Sequence, residues 1–482
     1  RVVKGIAMSR LRAYIALGSN LGRRAANIRA AVRQLSREFE LEATASLYET
    51  APAYVDDQPP FLNTVAAVRA SCSPRELLAT LKRIEVEVGR LPSARWGPRA
   101  IDLDLVLYGD LQHSDASSGD AAPSLPLELP HPRMGERRFV LEPLAEIDPA
   151  ARHPRSGATA AAMLAALPPE DAAPLQRVCP LGSDDDEGLV RWGRRTLLMG
   201  VLNVTPDSFS DGGRFDSAAA ATAHALELEA AGADIIDVGA VSTRPGAVAV
   251  SPEEELRRAA PVVQALHASP LRAPISVDTS CAAVAAELAA LGARVVNDVS
   301  GGAMDREMLP TVARLGLPAV LMHMRGDPAT MASLARYDDV VADVRSELAG
   351  RLAAAQAAGV PKWDLIGDPG IGFAKTAPQS LALLRSLHRF GLSSASAAAA
   401  ASDALDYPLL VGVSRKSFLG AAVGVELPPQ ERAWATAAAC AASVPHADIL
   451  RVHDVSQMRH VAAVADAIHR GGGAPPASTD NR

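Results

Sequence analysis

The sequence predicts two enzyme-like domains in one chain, a compact α+β unit followed by a (β/α)8 barrel. Three observations carry this. At 482 residues the chain exceeds the roughly 100 to 250 residues that one hydrophobic core organises. A stretch poor in pattern and rich in Ala, Pro and acidic residues divides it. Beyond that stretch, short β-rich runs alternate with alanine-rich helical segments, as parallel barrels require. The boundaries fall at 11–165 for the first domain, 166–193 for a linker and 194–472 for the second.

In the first domain, Ala13–Leu17 reads as a strand ending in the turn Gly18-Ser19-Asn20, with a helix from about Asn27 to Phe39. Strand patterns near Ala43–Tyr48 and Asn63–Val68, a helix over Pro74–Val88 and a strand over Ile101–Leu107 complete the unit. In the second domain the β-rich runs are Leu197–Asn203, Asp234–Val238, Pro274–Asp278, Val295–Val299, Ala319–His323, Leu365–Asp368, Leu409–Val413 and Ile449–His453. A doubly wound open sheet is the competing architecture. Asp110–Ser124 and Leu392–Asp406 read as surface insertions, and Ala433–His446, broken by Pro445, as a buried helix.

Composition narrows the function. Hydrophobic residues at 48% and charged residues at 21% are those of a globular protein, and aromatics at 4% predict an aliphatic core. The net charge of −7 leaves no global basic field for nucleic acid or an anionic membrane, so anionic substrates must be gripped locally. Cys72, Cys179, Cys281 and Cys440 show neither disulfide nor zinc spacing, which fits a reducing compartment and a cytoplasmic location. The alternative is mitochondrial, with the basic start (Arg1, Lys4, Arg10, Arg12) as the stub of a transit peptide. No window of about 18 apolar residues suggests a membrane span.

The polar residues of the second domain cluster at strand ends: Asn203, Asp278, Asn297 with Asp298, His323, Asp368, and Arg451 with His453, while Lys416 follows the seventh run. A single polar strand end is usually a satisfied turn or cap. In a parallel barrel, however, all these ends meet at one mouth, where catalytic sites form. Two loops rich in Gly, Ser and Pro, Thr205–Gly213 and Ser242–Gly246, can offer backbone N–H groups and Arg244 to phosphate. In the first domain, Asp102 and Asp104 alternate along a strand, so their carboxylates share one face and can share divalent cations.

The segments Leu202–Gly213 (LNVTPDSFSDGG), Ser242–Ala247, Val277–Thr279, Asn297–Val299, Met322–Met324, Asp368–Phe373 (DPGIGF), Ser414–Phe418 (SRKSF) and Arg451–Asp454 (RVHD) together resemble dihydropteroate synthase, in order. The resemblance implies condensation of a dihydropterin methyl pyrophosphate with 4-aminobenzoate. It implies that Asp278, Asn297, Met322, Asp368, Phe373 and Lys416 bind the pterin, and that Thr243, Arg244, Arg451 and His453 bind pyrophosphate. Asn203 would help hold Mg²⁺, and Phe209, Pro245 and Ser417 would lie near the aminobenzoate. Catalysis would fall to Arg244, Lys416, Arg451 and His453. One departure is Ala240-Val241, where the family commonly has Gly-Glu.

Tyr14–Gly22 (YIALGSNLG), Tyr48–Thr50, Phe61–Asn63, Arg95–Asp104 (RWGPRAIDLD) and Pro130–Phe139 resemble the hydroxymethyl-dihydropterin pyrophosphokinase family. That implies a ferredoxin-like fold and Mg²⁺-dependent transfer of pyrophosphate from the co-substrate ATP. Asp102 and Asp104 would bind the metal and, with Arg99, carry catalysis. Thr50, Phe61, Asn63 and Phe139 would hold the pterin, and Glu85, Arg90, Trp96, Arg99, His131 and Arg137 the nucleotide and its phosphates. Pro126 stands where an arginine can assist phosphate binding. The resemblance also implies a homodimer through the barrel.

Overall fold

The computed structural model describes residues 10–471 apart from 53–56, 92–96, 116–125, 169–174, 183–187, 205–213, 245, 248–249 and 393–402. Its described residues form two compact units, the first running to Arg191 and including Pro361–Trp363, the second beginning at Trp192 and comprising the rest.

The first unit contains β1 (Leu11–Ser19), α1 (Arg24–Glu38), β2 (Glu40–Thr44), β3 (Leu47–Thr50), β4 (Phe61–Ala70), α2 (Pro74–Val88) and β5 (Asp102–Tyr108). The short strands β6 (His113–Ser114) and β7 (Glu128–Leu129), the helices α3 (Arg138–Ile147) and α4 (Ala160–Ala165), and strands β8 (Gln176–Pro180) and β9 (Leu189–Arg191) follow. The main sheet is antiparallel in the order β5-β1-β4-β3-β8-β9, with β2 also on β4. Strand alternation decides the layers. Ala13, Ile15 and Leu17 pack with Ile28, Leu35, Leu77, Leu81 and Ile84 of α1 and α2. Tyr14 faces the other way, with Val65, Ala67 and Val106, against Val140, Leu141 and Leu144 of α3.

The expected linker 166–193 is therefore corrected. Two of its segments are strands, with Leu47 opposite Val178 and Cys179 opposite Val190. Val178 and Leu189 are buried in the same core as α1 and α2, and that burial holds these strands in the first unit. The insertion expected over Asp110–Ser124 begins as an ordered ladder, His113 opposite Leu129.

In the second unit the strands are β10 (Leu197–Asn203), β11 (Ile235–Gly239), β12 (Ile275–Asp278), β13 (Val295–Asp298), β14 (Ala319–Met322), β15 (Leu365–Asp368), β16 (Leu410–Val411) and β17 (Ile449–Val452). All pair in parallel, in the order β15-β14-β13-β12-β11-β10-β17-β16. A parallel bridge between Gly367 and Leu409 joins the two ends, so the sheet closes as a barrel and the open-sheet alternative falls. Around it run α5 (Arg214–Ala231), α6 (Pro252–Ala268), α7 (Ala282–Ala290), α8 (Met308–Leu315), α9 (Val340–Ala357), α10 (Ala377–Arg385), α11 (Ser417–Val423), α12 (Ala433–Ser443) and α13 (Val455–His469).

The strands are continuous apolar runs because barrel and helices cover both faces, and the core is mainly Val, Leu, Ile and Ala, as the low aromatic content predicted. The expected buried helix over Ala433–His446 needs correction. In α12 only Thr436, Cys440 and Ser443, spaced at helical period, are buried, and Trp434 is 87% exposed. Among the described residues no helix is long and apolar enough to cross a membrane, and all four cysteines are free.

Candidate active sites

In the first unit, a cleft over the β1, β4 and β5 edge is lined by Thr50, Phe61, Asn63, Arg99, Asp102, Asp104, His131, Arg137 and Phe139, all singled out from the sequence. Asn63 Nδ2 donates to Thr50 Oγ1 at 2.8 Å, because Tyr48 stands opposite Asn63 and Thr50 opposite Phe61 in the ladder. Asp102 is gripped by two arginines, Arg90 Nη1 at 2.6 Å and Arg99 Nη1 at 2.8 Å. Burial pushes its carboxyl up, but Arg99 and Arg90 outweigh that and hold it below the usual range. Asp104 is less enclosed, with Arg137 Nη1 at 3.9 Å, and the Arg137 guanidinium lies 5.5 Å from the Phe139 ring centre. Burial lowers the pKa of His131, which favours the neutral ring.

Glu85 does not line the cleft. Its buried carboxylate accepts from Leu103 N–H at 2.7 Å and Lys82 Nζ at 2.6 Å and pairs with Arg90, which ties α2 to β5 beneath the two aspartates. Trp96 lies outside the described residues. Sequence reasoning missed Gln58, which lines the cleft, and the role of Asn20. Asn20 Oδ1 accepts from Arg99 N–H at 2.8 Å, and its Nδ2 donates to Gln58 Oε1 at 3.2 Å. Its position in a Gly-Ser-Asn turn was the available signal.

In the barrel, register brings Asp278, Asn297, Asp368 and Arg451 to the C-terminal ends of their strands, at one mouth. Arg451 bridges two carboxylates, donating from Nε to Asp237 at 2.7 Å and from Nη2 to Asp278 at 2.8 Å. Burial pushes Asp278 up to about 7, opposed by Arg451 and assisted by Asp237, Glu255 and Asp298. Asp368 is also raised by burial. Lys416, just before α11, donates to Ile371 O, and its Nζ lies 4.4 Å from the Phe373 ring centre. Burial, against the pull of Asp368, lowers its pKa to about 8. Met322 is buried in a small apolar cluster with Met324 and Met331, against which Phe373 packs.

His453 Nδ1 lies 3.0 Å from Ser414 Oγ. Burial, then the charges of Arg451 and Arg415, lower its pKa to about 4, and Arg244 adds to this from the loop after β11. Thr243 is half-buried in that loop, Arg244 is exposed, and Asn203 and Ser417 are exposed at the end of β10 and the start of α11. Phe209 and Pro245 lie outside the described residues.

Two polar strand ends have structural duties instead. Asp298 accepts from Ser280 Oγ, Ser300 N–H and Gly302 N–H at 2.6 to 2.8 Å. His323 is fully buried between Glu347 (2.9 Å) and Lys375 (3.0 Å). Sequence reasoning also missed Lys375 and Asp237, each placed off the strand ends that it inspected.

Both units match known protein families. The pterin binding enzyme family matches residues 199–453, and the 7,8-dihydro-6-hydroxymethylpterin-pyrophosphokinase family matches residues 14–149. The folate synthesis bifunctional protein, mitochondrial, of Pisum sativum is 42% identical over 94% of this chain and 88% of its own. A solved Xanthomonas albilineans dihydropteroate synthase with 4-aminobenzoic acid is 41% identical over 58% of this chain and 95% of that one, with a TM-score of 0.51. A Plasmodium falciparum HPPK-DHPS structure with pteroate, 20% identical, shares the fold over 95% of this chain and 98% of its own, with a TM-score of 0.76.

Fold and family matches thus define a two-domain enzyme that handles pterins in both halves. The chain belongs to the bifunctional folate synthesis family, with a hydroxymethyl-dihydropterin pyrophosphokinase domain followed by a dihydropteroate synthase barrel.

Proposed function

We propose that this chain catalyses two consecutive steps of folate synthesis, and that the residues gathered in the cleft and at the barrel mouth carry them. First, pyrophosphate passes from ATP to 6-hydroxymethyl-7,8-dihydropterin. The resulting ester then condenses with 4-aminobenzoate to give 7,8-dihydropteroate and pyrophosphate. The observation that carries the reading is that one chain matches the pyrophosphokinase and pterin binding enzyme families in the order of the reactions, with arginines beside carboxylates in the cleft and at the barrel mouth.

In the first step the Thr50–Asn63 pair meets the polar edge of the pterin, and Phe61 and Phe139 wall its ring. The hydroxymethyl oxygen bonds to the β-phosphorus of ATP as the α–β bridging bond breaks and AMP leaves. Arg99, Arg90 and Arg137 offset phosphate charge. Asp102 and Asp104 fit Mg²⁺ because both carboxylates line the same cleft. Asp102 and Asp104 would supply two of the ligands, and ATP oxygens and water would supply the rest, as this hard cation commonly requires. When bound, the ion neutralises triphosphate charge.

In the second step Asp278, Asn297 and Asp368 take the donors of the pterin edge, with Lys416, Phe373 and Met322 around the ring. The aminobenzoate nitrogen bonds to the pterin methylene while the C–O bond to pyrophosphate breaks. Arg451, Arg244, Thr243 and His453 hold the departing group. Asn203 would offer its amide oxygen to Mg²⁺, and Ser417, exposed at the start of α11, would meet the aminobenzoate. A second copy of the chain is expected to cover the exposed apolar side chains Val423, Val425, Trp434, Val464 and Ile468 on α11 to α13. The pea relative's name supports the mitochondrial location over the cytoplasmic one.

The test supplies hydroxymethyl-dihydropterin, ATP, Mg²⁺ and 4-aminobenzoate to the full chain and follows AMP and dihydropteroate. Both should appear, and Lys416→Ala or Asp278→Ala should remove dihydropteroate while leaving AMP release. A chain that binds pterin without consuming ATP would be a binding protein instead. Near-normal synthesis in both variants would show that the pterin site lies elsewhere.

A further inference from the structure

We propose that Asp237 is the positioning residue of the barrel site, anchoring Arg451 and fixing the amide of Asn297 before the pterin ester arrives. The inference rests on the synthase reading above and assigns the residue that presets its geometry.

Asp237 lies on β11 two residues before the strand end, in register with Ser276 of β12, while Gly239 pairs with Asp278. Its carboxylate thus sits one step of the strand period beneath the mouth. It is fully buried, so every lone pair must find a protein donor. Three side chains from three other strands supply them. Ser276 Oγ donates to Oδ1 at 2.6 Å, while Arg451 Nε and Asn297 Nδ2 both donate to Oδ2, at 2.7 and 3.1 Å.

Two consequences follow from donor and acceptor chemistry. A carboxylate beside an arginine accepts only, so the amide nitrogen of Asn297 must turn toward Asp237, whichever way the amide is drawn. Asn297 then keeps Oδ1 for the ligand, as an acceptor that selects an N–H on the pterin. Arg451, for its part, spends Nε on Asp237 and Nη2 on Asp278, so a long side chain with many rotamers is already ordered. Its remaining N–H groups are left for phosphate oxygens. Without Asp237, ordering the guanidinium would be charged against ester binding.

The experiment uses the full chain, supplied with the premade pyrophosphate ester and 4-aminobenzoate. Asp237→Asn keeps the shape but loses a charge and replaces an acceptor by a donor. The expected result is a rise of about tenfold or more in KM for the ester, with kcat lowered and KM for 4-aminobenzoate within about twofold of wild type. ATP-dependent pyrophosphate transfer in the same chain, unchanged, reports on folding of the other unit. In an Arg451→Ala background Asp237→Asn should add less than about threefold, because the residue acts largely through that arginine. Ser276→Ala removes one donor and spares both anchored partners, so it should raise the ester KM by about two- to fivefold.

A merely structural buried ion pair predicts otherwise: lower melting temperature, unchanged ester KM, and effects that multiply in the double variant. Either an unchanged KM in Asp237→Asn or full multiplication would overturn the proposal. If Asp237→Asn does not fold, Ser276→Ala decides, and an ester KM equal to wild type overturns it. A wild-type chain that makes no dihydropteroate from the premade ester would instead bring down the synthase reading itself, and this inference with it.

Discussion

The cleft of the first unit and the mouth of the barrel, the two proposed pterin sites, balance charge in opposite ways. In the cleft, Asp102 and Asp104 stand on an antiparallel strand with side chains 24% and 37% exposed, and their cationic partners reach in from flanking segments. At the barrel mouth, Asp278 is 8% exposed and Asp237 not at all, and Arg451, which pairs with both, comes from another strand of the same barrel. An antiparallel sheet can leave one face wet, whereas the mouth of a closed parallel barrel gathers strand ends into a confined space. Charges in the cleft can exchange arginine for metal and phosphate. Charges in the barrel must be satisfied before any ligand comes, and burial moves the pKa of Asp278 accordingly.

The largest expected effect breaks the first half alone. Asp104→Ala and Asp102→Ala should each lower AMP release by about a thousandfold or more, since phosphoryl-group transfer depends on charge neutralisation by what these carboxylates hold. Dihydropteroate formation from premade ester should stay at the wild-type rate. If pyrophosphate transfer survives both changes, the cleft has been assigned the wrong chemistry and the contrast drawn above fails.

Next in size is Gly370→Ala in the barrel. Gly370 has φ +65°, and a Cβ there would lie 2.0 Å from the His323 carbonyl oxygen, a backbone atom that cannot turn aside. Its N–H also holds Asp368 Oδ1 at 2.7 Å, so the strain lands on a carboxylate proposed to bind the pterin. Synthase activity should fall by about a hundredfold, with kinase activity retained. Unimpaired synthesis would mean that this loop does not shape the pterin site.

How far these two regions could be read from sequence differs for the same physical reason. Barrel strands buried on both faces are continuous apolar runs, so a polar residue at a run's end stood out, and Asp278, Asp368 and Arg451 were found that way. The rule has a blind spot at Asp237, which lies inside its run and is recognisable only once β12, β13 and β17 are placed around it. It also overreached at Asp298 and His323, whose partners Gly302 and Lys375 consume them. In the first unit, β8 and β9 went unread because they lack strong alternation: β8 is a strand by virtue of pairing with Leu47–Glu49, more than a hundred residues earlier, and β9 by pairing with β8. The Asp102–Asp104 alternation was legible, whereas the arginines that grip Asp102 had to be seen in space.

The pH response should sharpen the contrast more gently. Asp278, held near 7, offers two acceptor oxygens and a negative charge to the pterin N–H pair only when deprotonated, because protonation turns one oxygen into a donor, so kcat/KM for the ester should fall as pH drops through about 7. Lys416, held near 8, carries its charge only below that value, so activity should fall again as pH rises through about 8. The synthase profile is expected to be a narrow bell losing about tenfold per unit beyond each limb. Lys416→Arg should flatten the alkaline limb, because a guanidinium stays charged there. A flat synthase profile from pH 6 to 9 would remove the claim that burial tunes this site.

The smallest expected effect separates shape from chemistry within the barrel. Thr376 caps α10 in a reciprocal box: Gln379 N–H donates to its Oγ1 at 3.4 Å, and its own N–H donates to Gln379 Oε1 at 2.8 Å. The cap follows Lys375 directly, so it holds the far end of the loop that carries Phe373. Thr376→Ala leaves two helix-end groups without their partners and should cost about 1 kcal/mol, read as a lower denaturant midpoint for the barrel. If the buried Lys375–His323–Glu347 chain alone fixes the loop, ester KM and kcat will stay within about twofold of wild type. A larger kinetic change would show that the helix cap shares in holding Phe373 against Lys416, and that this part of the site depends on an exposed turn as well as on buried charge.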